Sequence, residues 1–302
     1  MSRKSTLADY NQRMLKVLEY LQQHLDSALA PTDLARIASF SPYHFQRIFR
    51  GMMGESVMGH ISRLRLERAA SRLVYTDRSV TTLAFEAGYT VHEAFTRAFG
   101  ARFGCSPSEF RKQHRRIGFP PAPNPVHYDS LDECDPFPDP GRPPTELAVK
   151  IENQPPRAVA YVRHVGRYSD CGSAWERLMA WVASSGHMAP GNELIGVCYD
   201  DPDITDEDRI RYEACAVLSS PFEAEGDVGK KELFGGDYAV VRHRGPYADL
   251  SPVYRQLMGS WLPRSGREAA DAPCLERYWN DPDNTPPEEL ETDIMLPLWE
   301  LP

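Results

Sequence analysis

Two internal duplications constrain this chain more than any other feature of its sequence. Near the start, a Leu-Ala-x-x-Ala pattern at 34–38 recurs at 83–87, an offset of 49 residues. A Phe-x-Arg-x-Phe pattern with a later glycine follows each copy, so that 45–54 matches 95–104 at an offset of 50. A pattern repeated in this way indicates two similar structural units, built one after the other.

The second half of the chain carries its own duplication. A Val-Arg-His-x-Gly-x-Tyr-x-Asp sequence at 162–170 recurs at 241–249, and an Asp-Pro-Asp-x-Thr sequence at 201–205 recurs at 281–285. Strand-like alternation is mixed here with two helical segments. We therefore predict an α+β domain of two pseudo-symmetric β-α-β-β modules, with a crevice between the copies where a ligand could bind.

A proline-rich stretch separates the two halves. Nine prolines lie between Gly118 and Pro144, which prevents a regular helix or a central strand. The stretch is typical of a semi-rigid linker. The predicted fold is thus multidomain: an all-α domain with two helix-turn-helix motifs over 1–116, a linker over 117–145 and the α+β domain over 146–302.

The charge of the chain is divided unevenly between these halves. The 302 residues carry a net charge of -9, yet residues 1–116 hold 18 Lys and Arg against 10 Asp and Glu. A basic front half suits a polyanion, whereas the acidic remainder would be repelled by the same surface. This division favours a nucleic-acid reader joined to a sensor domain.

The sequence gives no sign of a metal site, an export signal or a membrane anchor. The six cysteines are scattered without a Cys-x-x-Cys pair or histidines at metal-ligand spacing, so we predict no metal, no cofactor and no disulfide framework. The first residues lack the apolar core of a signal peptide, and no run approaches the roughly 18 apolar residues of a membrane span. We expect a soluble, cytoplasmic protein with no membrane partner.

In the front half, each copy of the duplication predicts a helix-turn-helix. The first copy has a short helix over 32–39, then Ser41 as N-cap and Pro42 as the first residue of a second helix that runs to about Met53. A proline-free helix over 57–75 would join the copies and hold the two reading helices about 34 Å apart, one turn of B-DNA.

The second helix of each copy turns a set of polar side chains outward. Arginine can grip guanine and glutamine can grip adenine in the major groove, so these are candidate base readers. The alternative is that they solvate the surface of an ordinary helical bundle. The candidates are Tyr43, Gln46, Arg47 and Arg50 in the first copy, and His92, Glu93, Thr96, Arg97 and Arg102 in the second.

The front half resembles the DNA-binding domain of the AraC/XylS family of bacterial regulators. The resemblance rests on Ala-x3-Gly-Tyr at 84–89 and on Phe-x-Arg-x-Phe-x4-Gly-x-Ser-Pro at 95–107. It implies base reading by Tyr43, Gln46, Arg47, His92, Glu93, Thr96 and Arg97. It also implies double-stranded DNA and RNA polymerase as partners.

The back half resembles the GyrI-like effector-binding domain. The resemblance rests on Pro-Pro-Arg-x-Val-Ala at 155–160, on the two duplicated turns and on the final strand at 292–297. The resemblance implies an aromatic cavity with a carboxylate, which takes a small lipophilic or cationic effector. Asp293 matches that carboxylate and Glu213 is its counterpart in the first module, although Asp293 could instead pair with a neighbouring arginine.

Aromatic side chains around the predicted crevice complete the candidate effector site, because a cation binds favourably over aromatic rings. Each of them could instead fill the core. They are Tyr168, Trp175, Tyr199, Tyr212, Tyr247, Tyr254 and Trp279.

Together these features predict a sequence-specific DNA-binding transcriptional regulator that senses a small molecule and is not an enzyme. Two alternatives remain open. The back half could hydrolyse a bound compound with a carboxylate and a tyrosine, or it could restrain a DNA enzyme as a protein-interaction module.

Overall fold

The computed structural model describes residues 7–113, 118–137, 147–189, 191–202 and 205–300, which form two compact units. One unit contains Ala8–Ser39 and the described residues between 49 and 137. The other joins Leu7 and Phe40–Ile48 to the described residues from 147 to 300. The predicted domain limits at 116 and 145 lie outside the described residues. Within the described ranges, no helix has both the length and the apolar character needed to cross a bilayer.

The first third of the chain is helical, as its sequence predicts. The predicted connecting helix runs from Val57 to Tyr75, and the Ser56 hydroxyl caps it by accepting a hydrogen bond from the Gly59 amide. The helices are α1 (Leu7–Gln23), α2 (Pro31–Ala38), α3 (Phe45–Met53), α4 (Val57–Tyr75), α5 (Val80–Glu86), α6 (His92–Phe103) and α7 (Pro107–Gln113).

The first reading helix, α3, begins three residues later than predicted. Residues 41–44 form a turn in which the Phe45 amide donates to the Ser41 carbonyl, and the regular helix starts at Phe45 instead of Pro42. The two copies end alike, because Gly54 and Gly104 adopt left-handed φ angles of 74° and 76°. A residue with a side chain would be strained there, which explains why glycine recurs at an offset of 50.

Aromatic packing holds the second helix-turn-helix together. Phe99 on α6 is fully buried, and its ring centroid lies 5.6 Å from that of Phe95, 4.4 Å from Phe103 and 5.3 Å from Phe110 on α7. Leu73 of α4 belongs to the same cluster. Large rings at helical spacing therefore form the core that positions α6.

The proline-rich stretch is more than the linker predicted from its composition. Residues 118–137 are described, and Asn124 and Val126 are buried against the helical unit. Arg63 of α4 donates to the Val126 carbonyl at 2.9 Å, and the Asn124 amide donates to the Met53 carbonyl at 2.9 Å. Proline prevents regular structure but not burial, because side chains from α4 satisfy the exposed backbone groups. The predicted linker's residues 117 and 138–145 lie outside the described residues.

The back half contains an eight-stranded antiparallel sheet and two helical segments. The strands are β1 (Val149–Gln154), β2 (Arg157–Val165), β3 (Leu194–Cys198), β4 (Arg211–Val217), β5 (Gly229–Leu233), β6 (Gly236–Arg244), β7 (Cys274–Tyr278) and β8 (Glu291–Leu298). The helical segments are α8 (Gly172–Ser184), and α9 (Leu250–Gln256), which continues through a π-helical turn at Leu257–Trp261 into α10 (Leu262–Arg264).

The strand order shows the predicted pseudo-symmetry directly. It reads β1-β6-β8-β7-β3-β4-β2-β5, so two equivalent four-stranded halves meet where β7 pairs with β3. The first strand of each module pairs with the second strand of the other module: β1 pairs with β6, and β5 pairs with β2. Gly196 pairs with Glu276 across the central junction, and these two residues are separated by the offset of 80 that relates the modules. The pseudo-two-fold axis therefore passes beside Gly196 and Glu276.

Candidate functional site

A buried carboxylate lies at the central junction of the sheet, where β7 pairs with β3. Glu276 of β7 is 9% exposed and accepts hydrogen bonds from two phenols. Tyr254 of α9 donates to its Oε1 at 3.0 Å, and Tyr278 donates to its Oε2 at 2.7 Å. A buried carboxylate that accepts hydrogen bonds from neutral phenols keeps a negative potential, which suits a cation.

Aromatic rings from both modules surround this carboxylate. Tyr278 lies 5.7 Å from Trp175 of α8 and 5.6 Å from Tyr247, measured between ring centroids. Tyr212 packs against Tyr168 at 5.6 Å, and its hydroxyl accepts a hydrogen bond from the Trp175 indole at 3.1 Å. We call this group the Glu276 cluster: Glu276, Tyr168, Trp175, Tyr212, Tyr247, Tyr254 and Tyr278.

A glycine opposite the carboxylate makes room for the phenols. A Cβ atom on Gly196 would lie 2.5 Å from the Tyr212 hydroxyl and 2.7 Å from the Tyr278 hydroxyl, closer than atoms can approach. Burial raises the pKa of Tyr212, Tyr254 and Tyr278 well above the ordinary value, so these hydroxyls stay protonated and act as donors. The pseudo-symmetric position thus holds a glycine in one module and a glutamate in the other.

Five of the seven predicted aromatics lie in the cluster, and the other two lie elsewhere. Trp279 and Tyr199 are on the opposite face of the sheet, because neighbouring strand residues point to opposite sides. There the Trp279 indole donates to Asp293 at 2.8 Å, and the Tyr199 hydroxyl donates to Glu213 at 2.9 Å.

The two carboxylates predicted for the effector site are engaged in ion pairs. Asp293 accepts hydrogen bonds from Arg277, at 2.6 Å, and from Arg242. Burial alone would raise the pKa of Asp293, but hydrogen bonds from these arginines and from Trp279 outweigh it and hold the pKa below its usual range. The sequence-based placement of Asp293 in an aromatic cavity is corrected here. It forms the arginine pair that was its alternative.

Glu213 has the same kind of environment in the first module. Arg163 donates to its Oε1 at 2.7 Å, and the Lys231 ammonium contacts its Oε2. Burial opposes ionisation, yet hydrogen bonds from Lys231, Arg163 and Tyr199 lower the pKa of Glu213. With both charges already balanced, neither Glu213 nor Asp293 offers a free anion to a ligand.

Sequence reasoning missed Glu276 and Tyr278. The resemblance to the GyrI-like domain indicated Asp293 on the last strand, with Glu213 at the equivalent place, whereas Glu276 has a glycine as its counterpart. The signal that could have found it is alternation along β7: Glu276 and Tyr278 share one face, while Arg277 faces the opposite way with Asp293.

Comparison with known proteins agrees with this architecture. Residues 147–298 match the family described as a GyrI-like small molecule binding domain, and residues 34–113 match a helix-turn-helix domain. The chain is 31% identical over 298 residues to the right origin-binding protein of Escherichia coli K12, covering 93% of this chain and 96% of that relative. The chain belongs to the AraC family of transcriptional regulators that carry a C-terminal GyrI-like domain.

Other similar proteins share one part of this arrangement. The probable transcriptional regulator YgiV of Escherichia coli K12 is 32% identical over 155 residues, which are 50% of this chain and 96% of that relative. A solved EcmrR–DNA complex is 20% identical with a TM-score of 0.44, covering 51% of this chain and 58% of that chain.

In this AraC-type regulator, the second reading helix presents its predicted side chains to solvent. His92, Glu93 and Arg97 are exposed along α6, and Thr96 is half-buried. Arg102 differs from its prediction as an outward reader. It donates to Glu67 at 2.8 Å and to the carbonyls of Pro120 and Pro121, so it fastens the proline-rich stretch instead of facing a groove.

The first reading helix has a different environment. Arg47 is 5% exposed and its neighbour His44 is fully buried, while Tyr43, Gln46 and Arg50 are half-buried. The predicted base readers of the first copy are therefore not equally available in this state of the molecule.

Proposed function

We propose that this regulator binds a lipophilic cation at the Glu276 cluster and reads DNA with both helix-turn-helix motifs. The observation that carries the effector site is a buried carboxylate that lies among aromatic rings and accepts hydrogen bonds from two phenols. A cation there gains from the charge of Glu276 and from the faces of Tyr247, Tyr254 and Trp175.

Selectivity among cations in such a site comes from the free-energy cost of removing the water that hydrates each cation. A hydrated, compact cation loses its water shell on entering an aromatic cavity, whereas a delocalised or alkylated cation loses little. The cluster should therefore favour quaternary ammonium or phosphonium compounds over simple inorganic ions.

The charge of Glu276 can be tested directly. Glu276→Gln keeps the shape and the two phenol contacts but removes the negative charge, and we expect tetraphenylphosphonium affinity to fall at least about tenfold. Isothermal titration calorimetry on the full chain provides the measurement. Glu288→Gln is the matched control, because Glu288 is an exposed acid outside the cluster. Equal affinity in wild type and Glu276→Gln would contradict the assignment.

For DNA, we propose base contacts from both reading helices. The set is Tyr43, Gln46, Arg47 and Arg50 from the first helix, and His92, Glu93, Thr96 and Arg97 from the second. The basic charge of residues 1–116 supports it.

RNA polymerase is the further partner that we propose for a regulator of this family. One chain supplies both readers, so the site should be asymmetric, which footprinting on a duplex selected from random DNA can measure.

Hydrolysis is the second candidate for the back half. It needs a carboxylate and a tyrosine over the same bound compound, and Glu276 with Tyr254 is such a pair, at 3.0 Å. Turnover of a bound compound that is lost in both Glu276→Gln and Tyr254→Phe would favour an enzyme. Binding without turnover favours a sensor.

A further inference from the structure

The first reading segment lies in the same compact unit as the Glu276 cluster. Residues Phe40–Ile48 group with the back half of the chain and not with the rest of the helical unit. Within this segment Arg47 is 5% exposed and His44 is completely buried. Side chains expected to meet DNA are covered by protein instead.

Polar contacts hold the segment in place. The Ser41 hydroxyl donates to Asp271 Oδ1 at 2.8 Å, and His44 Nε2 lies 3.1 Å from the Ala270 carbonyl oxygen. The Arg47 guanidinium donates to the Asp200 carbonyl at 2.8 Å. The Tyr43 ring adds a contact with Tyr199, 6.3 Å between centroids.

Arg47 joins the Glu276 cluster as a cation would. Its guanidinium carbon lies 4.7 Å from the centroid of the Tyr254 ring, and the hydroxyl of that same ring donates to Glu276. Tyr168 of the cluster shares the Asp200 carbonyl with Arg47, donating to it at 2.9 Å. A delocalised, weakly hydrated cation on an aromatic face is the chemistry proposed above for the effector.

We propose that Arg47 is an internal ligand of the Glu276 cluster, and that effector and DNA both require its release. The proposal rests on the cluster being the effector site. In the docked state the first reading helix cannot enter a groove, because Arg47 is buried. When an effector displaces Arg47 from the Glu276 cluster, the segment becomes available to DNA. When DNA binds Arg47, the cluster becomes available to the effector. Effector and DNA therefore strengthen each other's binding, as linkage requires.

A matched pair of arginine variants tests the competition. Arg47→Ala removes the internal ligand and should tighten tetraphenylphosphonium binding about tenfold, the gain expected if about 90% of molecules are docked. Arg97→Ala removes the equivalent arginine, at an offset of 50, and should leave that affinity unchanged. Calorimetry on the full chain gives both values. Equal affinity in wild type and Arg47→Ala would overturn the proposal while leaving the effector site intact.

A reversible cross-link tests the docked state without any effector. Ser41→Cys combined with Asp271→Cys places two thiols where a hydroxyl and a carboxylate now touch. Oxidation should trap the segment and reduce affinity for a selected duplex at least about tenfold, and reduction should restore it. The two single variants control for oxidation of native cysteines. Failure of the pair to cross-link, or full DNA affinity when cross-linked, would overturn the proposal.

The two experiments separate the two claims. If neither wild type nor Arg47→Ala binds tetraphenylphosphonium, but oxidation abolishes DNA binding, the docked segment stands and the effector assignment fails. If wild type binds the cation and Arg47→Ala gains nothing, the effector site stands and competition fails.

Discussion

The two helix-turn-helix motifs have the same plan but different surroundings. Arg97 of the second copy is exposed on α6, whereas Arg47, its counterpart in the first copy, is buried against Tyr254. Both copies keep their buried phenylalanines, since Phe49 and Phe99 are fully covered. The two copies therefore share the internal packing of the motif and differ in what surrounds the arginine.

Under the proposal above, this difference gives one copy of a repeated module a regulatory role. A guanidinium that suits guanine also suits an aromatic ring beside a carboxylate, because both contacts use its flat, delocalised charge. One reader can therefore be withheld while the other remains available. The predictions below test how independent the two copies are.

Breaking the core of the second copy should have the largest effect. Phe99→Ala leaves a cavity among Phe95, Phe103 and Phe110, so we expect the free energy of unfolding to fall by about 3–5 kcal/mol. Phe85→Ala is the control, because that ring is 58% exposed. Urea denaturation followed by circular dichroism provides the measurement. A loss confined to Phe85→Ala would refute this view of the core.

Two arginines of α6 should separate stability from recognition. Arg102→Ala leaves Glu67 and two carbonyls short of a donor and should lower the free energy of unfolding by about 1–3 kcal/mol, with sequence preference unchanged. Arg97→Ala should weaken DNA binding by about 1–3 kcal/mol and leave unfolding unaltered. Denaturation and gel-shift titration of both variants give the comparison. If Arg102→Ala instead weakened DNA binding and Arg97→Ala lowered the free energy of unfolding, Arg102 would again be a candidate for base contact.

Acidification should release the first copy alone. Burial, and then the charge of Arg47, lowers the pKa of His44 from 6.5 to about 3 in the docked segment. Docking is therefore fully stable above pH 6.5 and weakens as the pH falls below it. At pH 5.5 the docking equilibrium should drop about tenfold, worth about 1.4 kcal/mol.

Arg47, three residues further along the chain, is the charged group that acts on His44, and Asp271 accepts a hydrogen bond from Ser41 in the same segment. His44→Gln can still donate to the Ala270 carbonyl but does not titrate near neutral pH, so its docking should not vary with pH. Oxidation of the Ser41→Cys and Asp271→Cys pair, followed between pH 7.5 and 5.5, measures docking with and without His44. A pH response that persists in His44→Gln would exclude this histidine as its source.

Much of the architecture was predictable from the residues. The duplications and the resemblance they carry gave the paired helix-turn-helix motifs, the helix over 57–75 and the two-module sheet. Local periodicity decides such features, because a helix or a strand buries one face through residues near one another in the chain. The start of α3 was less predictable, since Ser41 and Pro42 suit a turn as well as a helix start.

The site itself depended on contacts between distant residues. The sequence proposed Asp293 and Glu213 as effector acids, and neighbouring strands instead supply each with arginine or lysine. Glu276 became visible only through its pairing with Gly196, 80 residues away, and through Tyr254 from another element. Alternation along β7 indicates which side chains share a face, but strand pairing selects which polar side chains of distant strands meet.

By itself, the sequence predicted two helix-turn-helix motifs and a duplicated GyrI-like domain. Only the tertiary structure decided that Glu276 accepts hydrogen bonds from two phenols, and that Arg47 packs on the ring of one of them, Tyr254. The reason is physical. Repetition and periodicity are properties of the chain, whereas burial of a charge depends on every element that packs around it.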